Sequence, residues 1–317
     1  MPTRSEETPH CAGENEVWAA TARGTRRSVF DNYPADPTAP RRSLGAGIHS
    51  TEEQEIHRSP VATEPLQATI DTAIARSFLY RFLAQAFQDP SEPAWTEMTA
   101  ASSLRILDNA VELLGSTAPE LAKTSAAFRR QLNPDGYEPF RTGYLAAFGH
   151  AARGRCPLNE IEYGDLKADV LFQPHRLADL AAFYRAFGLE IAEDAGERHD
   201  HICLELEFMC VLAAKEAYAL EHQLEAEDLS LGRAAQKRFL REHLGRWTPA
   251  FARHLARLGA GTILGDLATF MRSFVEAECA RLGVPCGNED LLLRPVDEAA
   301  ESLCQACGIP SASARCL

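Results

Sequence analysis

One stretch limits what the whole chain can fold into: Glu197 to Leu220, reading ERHDHICLELEFMCVLAAKEAYAL. Ile202, Leu206, Met209 and Ala213 recur at offsets of four, three and four, the spacing of one helical face. Leu204, Phe208, Val211 and Leu212 cover most of the remaining circumference. A helix apolar on nearly every side is stable in water only when other elements surround it, so this stretch predicts the central helix of a bundle. Its entry is polar. Asp200 is positioned to cap it, its carboxylate accepting from the free amides of the first turn. If the helix starts early, Glu197, His201 and Glu205 fall on one stripe, and a carboxylate–imidazole–carboxylate stripe can ligate a metal or pass protons. The plainer reading has His201 held by a carboxylate and Glu205 paired with a nearby arginine. No second helix carrying His and carboxylates in the di-metal pattern accompanies it.

The rest of the chain supplies the partners such a helix needs. Ile70, Ala73, Ile74, Phe78, Leu79, Phe82, Leu83 and Phe87 form an amphipathic helix that Asp89-Pro90 ends. Ser91 caps the next, with Pro93 in its first turn, and that helix runs to Gly115. Helical segments follow over 119–132 and 137–148, parted by the turn Asn133-Pro134-Asp135-Gly136. Another runs from Pro174 to a C-cap at Gly188. After the central helix come one segment over 228–258, interrupted at Thr248-Pro249, and one over 262–282. The period stays near 3.6 residues and no alternating strand pattern appears. The expectation is an all-α fold: a single helical bundle of about nine helices over 66–283, with a tail at each end.

Residues 1–65 have a different character. Pro2, Pro9, Pro34, Pro37, Pro40, Pro60 and Pro65 lie there among Gly, Ser and Thr, with no sustained apolar period, which predicts a disordered N-terminal tail. Arg26-Arg27 imitates a twin-arginine export motif, but Asp31-Asn32-Tyr33-Pro34 follows where an apolar region belongs. The net charge of −13 argues against binding nucleic acid or anionic lipid, and no stretch has the length of a membrane span. The C-terminal tail, 284–317, contains cysteines. Cys279, Cys286, Cys304 and Cys307 are spaced C-x6-C-x17-C-x2-C, a pattern that four-thiolate zinc or an iron–sulfur cluster could use. Free thiols or a redox pair are the competing readings. Cys203 and Cys210 belong to the central helix as small hydrophobes. Nine cysteines, an odd number without a compact disulfide framework, predict a reducing compartment.

Between His150 and Asp165 the helical period stops, and a Gly- and Pro-punctuated loop carries Leu158-Asn159-Glu160-Ile161-Glu162-Tyr163. Loops fixed by a rigid scaffold often carry function. Glu160, Glu162 and Tyr163 at a surface would suit an arginine guanidinium.

Four blocks in order, RSFLYRFLAQAF at 76–87, NEIEYG at 159–164, FYRAFGLE at 183–190 and ERHDHICLELEFM at 197–209, resemble the TorD/DmsD/NarJ family. These are cytoplasmic chaperones dedicated to molybdenum enzymes of the dimethyl sulfoxide reductase superfamily. The resemblance covers 76–283 and implies an all-α fold, no catalysis and no required cofactor. It implies an apo-molybdoenzyme client, bound through a twin-arginine leader and held until its pterin is inserted. The client-binding residues it points to are Glu160, Glu162, Tyr163, Gly164, Asp200, His201 and Glu205. Asp200-His201 and Tyr163-Gly164 are the strongest matches. A helix-in-groove mode would meet the leader's basic end with carboxylates and its apolar stretch with a groove. The chain is then a monomer, or a dimer that exchanges helices through the 189–196 link. The alternative is a metal-binding redox protein, or a permanent accessory subunit of the oxidoreductase.

Overall fold

The computed structural model describes residues 63–149, 154–164, 172–192 and 196–294. Its helices in order are α1 (Thr63–Ala86), α2 (Glu92–Thr99), α3 (Ala101–Gly115), α4 (Pro119–Gln131), α5 (Tyr137–Phe148), α6 (Phe172–Ala186), α7 (Ile202–Glu221), α8 (Ala226–Glu242), α9 (Leu244–Leu258) and α10 (Ile263–Leu282). Single 3-10 turns occupy Pro134–Gly136 and Glu160–Glu162. Among the described residues there is no strand, only two isolated antiparallel bridges, so the chain is all-α as the periodicity predicts. No described helix is long and apolar enough to cross a membrane. The predicted N-terminal tail, up to residue 62, and Cys304 and Cys307 lie outside the described residues.

The central helix is α7. Ile202, Leu204, Leu206, Phe208 and Met209 have no exposed surface, and α1 packs along the helix. Phe208 is ringed by Phe183, Tyr184, Phe187 and Phe239, with centroids 4.6–6.1 Å away. On the other side, α10 packs between α9 and α4.

Two expected helices are each divided. The segment 91–115 breaks at Ala100, whose backbone is extended. The segment 228–258 breaks at His243, whose φ of −126° and ψ of −102° leave the helical region. There a polar partner overrides the helical period, because the turn sends the His243 ring inward to Glu160.

Pro249 does not break α9. A proline has no N–H for the carbonyl four residues back, here Gly245. That carbonyl instead accepts from the amide of Gly287 at 2.8 Å. The segment after α10 is therefore part of the fold as far as Arg294.

Charge is also buried. Arg76 of α1 has 1% exposure and donates from Nε to both oxygens of Glu278 at 2.8 Å, and from Nη1 to Glu216 at 2.8 Å. Its other terminal nitrogen donates to Gln236. Burial would raise the Glu278 carboxyl, but Arg76 and Arg281 outweigh it and hold the group at about 2. This knot ties α1, α7, α8 and α10 at one level of the bundle.

A loop bound at the mouth of the central helix

The loop 154–164 is fastened along both its edges. On one edge Glu160 N donates to Asp200 O (2.9 Å) and Ile202 N to Leu158 O (2.8 Å), a short antiparallel pairing of Asn159 with His201. On the other, Gly164 N donates to Leu292 O (3.2 Å) and Arg294 N to Glu162 O (3.0 Å), pairing Tyr163 with Leu293. The motif thus lies between the entry to α7 and the segment that follows α10.

Its side chains point in. The expectation of surface groups is corrected at Glu160, which has no exposed surface, and at Tyr163, which has 1%. Tyr163 donates from its hydroxyl to Pro157 O (2.8 Å) and packs its ring on Trp247 and Phe251. One oxygen of Glu160 accepts from Arg176 (2.7 Å) and from Arg246 (3.0 and 3.1 Å), and the other contacts His243 Nδ1 at 3.0 Å. The second nitrogen of His243 lies 3.3 Å from Asp179. Burial pushes the Glu160 carboxyl up, but the hydrogen bond and charge of His243, with Arg246 and Arg176, hold it below its ordinary value. Glu162 is half-buried and Gly164 half-exposed.

Asp200 does not cap α7. It is fully buried and serves as an acceptor for the loop: Oδ1 takes Asn159 Nδ2 (3.1 Å) and Arg198 Nε (3.0 Å), while Oδ2 takes Ile161 N (3.1 Å) and Arg198 Nη2 (2.9 Å). The N-cap is His201, whose Nδ1 accepts from Cys203 N at 3.3 Å. An acceptor nitrogen must be unprotonated. Burial, against the pull of Asp200, holds the imidazole at about 4, which keeps it so at neutral pH.

The stripe Glu197–His201–Glu205 does not form, because α7 starts only at Ile202 and Glu197 stands exposed in the preceding loop. Glu205 is buried, with Oε2 accepting from Trp247 Nε1 at 3.1 Å and Oε1 lacking a partner. Burial, and then the nearby Glu160 carboxylate, push its carboxyl well above the ordinary range despite the Trp247 bond. Of the four tail cysteines, Cys279 and Cys286 meet at 3.3 Å between sulfurs. Among the described residues no group of three or more His, Cys, Asp or Glu is arranged to hold a metal.

Sequence reasoning identified Glu160 and Asp200 but missed their partners Arg176, His243, Arg246 and Arg198. A signal existed for two of them. His243 and Arg246 lie among Phe239, Leu240, Leu244 and Trp247, and charges placed beside such apolar residues usually answer a buried opposite charge. Next to Tyr163, a cleft of about 400 Å³ is lined by Ala250, Arg253, His254, Arg257 and Leu291–Leu293.

Fold and site define an all-helical scaffold that fixes one acidic loop rigidly against the mouth of its core helix. The profile of the family described as "Nitrate reductase delta subunit" matches residues 114–253, which contain all seven candidate client-binding residues. The selenate reductase assembly chaperone protein of Thauera selenatis is 29% identical over 223 residues, 69% of this chain and 98% of that protein. The perchlorate reductase assembly chaperone protein of Dechloromonas aromatica is 26% identical over 215 residues, 68% of this chain and 92% of its own. A shorter match, 30% over 93 residues, covers 29% of this chain and 40% of the chaperone protein TorD of Vibrio cholerae. Over 114–253 the chain thus matches the nitrate reductase delta subunit family, and over about two thirds of its length it is similar to proteins named as reductase assembly chaperones.

Proposed function

We propose that this protein is a cytoplasmic, non-catalytic chaperone dedicated to one molybdopterin oxidoreductase, whose cofactor-free catalytic subunit it holds until the pterin is inserted. The observation that carries the reading is its similarity to two reductase assembly chaperones along nearly their whole length. The geometry supports it too, since a site for recognition without chemistry needs a rigid, preorganised surface. Asp200 and Glu160 act from inside: they hold the loop in shape and engage the protein's own arginines. Glu162, Gly164 and His201 form the accessible rim. A client arginine reaches the Asp200 carboxylate by displacing Arg198, whose side chain is 46% exposed. The apolar part of the same segment lies over the cleft floored by Ala250 and Leu291–Leu293.

The test is co-purification with a molybdopterin catalytic subunit, with and without its leader, in cells able or unable to make the pterin. The expected result is capture of the cofactor-free form, dependence on the leader, and release on loading. Equal capture of loaded enzyme would instead make the protein a permanent subunit.

A further inference from the structure

We infer that Cys279 and Cys286 form a reversible dithiol–disulfide pair, a modification site at which peroxide oxidation bolts the segment 284–294 to the end of α10. The inference is independent of the client reading.

The local fold brings the two sulfurs together. Cys279 lies in the last turn of α10, almost wholly buried. Gly283 takes a left-handed conformation (φ 63°, ψ 41°), open to glycine at little cost. Val284 N donates to Cys279 O (2.9 Å) and Gly283 N to Ala280 O (3.1 Å), the two bonds that end a helix by reversing the chain. The reversal carries Cys286 back beside Cys279, with 3.3 Å between sulfurs. One residue later Gly287 is clamped onto Gly245 O, and a β-carbon on Gly287 would lie 1.8 Å from Arg246 O. A β-carbon on Gly245 would meet the Cys279 sulfur at 2.9 Å. Gly245 thus leaves the space that the Cys279 sulfur fills, and the clamp at Gly287 anchors the backbone next to Cys286. A disulfide needs the sulfurs at about 2.05 Å, a closure of a little over 1 Å within side-chain rotation.

The two thiols are unequal in the way a pair of this kind requires. Cys286 is half-buried, whereas Cys279 is covered. The hydrogen bond with Cys279 pulls the Cys286 thiol below its ordinary range, against its own burial, and the Gly287 amide helps. The Cys286 thiolate attacks a hydroperoxide oxygen, the O–O bond breaks, and a proton converts the departing oxygen to water or an alcohol. The resulting sulfenic acid condenses with the Cys279 thiol, losing a second water as the S–S bond forms. Each sulfur gives up one electron and the peroxide takes two. A dithiol reductant reverses the reaction.

The experiment treats the full chain with one equivalent of hydrogen peroxide, blocks remaining thiols in acid, and maps peptides without reduction. The expected product is a peptide pair linked at Cys279 and Cys286, two hydrogens lighter, with loss of two alkylatable thiols and recovery by dithiothreitol. Cys279→Ser should leave a sulfenic acid at Cys286 that dimedone traps, and Cys286→Ser should leave Cys279 fully alkylatable after denaturation. Three outcomes would overturn the inference: both thiols still alkylatable after other cysteines have oxidised, Cys286 linked to a different cysteine, or reduced protein carrying one zinc ion per chain on these thiols. The wild-type map decides the matter even if a variant fails to fold.

Discussion

Replacing Asp200 by Asn changes one atom and tests whether this carboxylate holds the loop in place. Its two oxygens take four donors, two of them from Arg198 and two from the loop at Asn159 and Ile161. Asparagine keeps one oxygen and turns an amide nitrogen toward the donors on the other side. If that nitrogen faces Ile161, a buried backbone N–H loses its acceptor, at about 1–3 kcal/mol. If it faces Asn159 and Arg198 Nε, the loss is a side-chain bond and half of the bidentate pair. Arg198 is partly exposed and regains water, so its share is discounted to about 0–1 kcal/mol. With the nitrogen facing Ile161 the cost is about 1–4 kcal/mol, a fall in melting temperature of roughly 2–16 °C for a domain of this size. Thermal unfolding followed by circular dichroism measures it, with Glu162→Gln as the control, expected within about 1 kcal/mol of wild type. A melting temperature unchanged within a degree would refute the reasoning and leave the Asp200 carboxylate with no part in holding the loop.

Other expectations follow from the same contacts. Glu160→Gln leaves Arg176, Arg246 and His243 around an uncharged group and should cost about 3–5 kcal/mol in a denaturant titration, more than Asp200→Asn. Acid should weaken the fold in two stages. The imidazole of His201 is held at about 4 in the fold against about 6.5 unfolded, so its contribution is complete above pH 6.5 and lost toward pH 4, by up to about 1.4 kcal/mol per unit. The carboxyl of Glu278, held at about 2, contributes fully above its unfolded value and is lost as the pH falls toward 2; His201→Asn should flatten only the upper stage. If Arg198 occupies the place of a client arginine, Arg198→Ala should raise leader affinity by up to about fivefold in titration calorimetry, whereas a loss would make Arg198 part of the binding surface.

The helical architecture was legible because it rests on period. The face Ile202–Leu206–Met209–Ala213 needs only its own sequence to declare itself, and α7 buries all four. The entry to that helix was not legible to the residue. Asp200 and His201 are both capable caps, and the choice depends on a loop some forty positions earlier that claims Asp200 for Ile161 and Asn159. The motif Asn159–Gly164 could be singled out, but its inward orientation could not, because turning Glu160 inside requires Arg176 from one distant segment and His243 and Arg246 from another. The buried Arg76–Glu216–Glu278 knot escaped for the same reason. Each member reads alone as one charge at the margin of an apolar helix.

The two edges of the 154–164 loop are closed by residues that leave the ribosome at very different times. Leu158 and Glu160 can pair with Asp200 and Ile202 once α7 has been made, but Glu162 and Gly164 must wait for Leu292 and Arg294. During vectorial synthesis the loop stays half-zipped until almost three hundred residues have been translated. If the loop binds the client as proposed, such a nascent chain cannot capture it while it is still being made. These last contacts close about 130 residues of intervening chain, a long-range pairing that is slow to find.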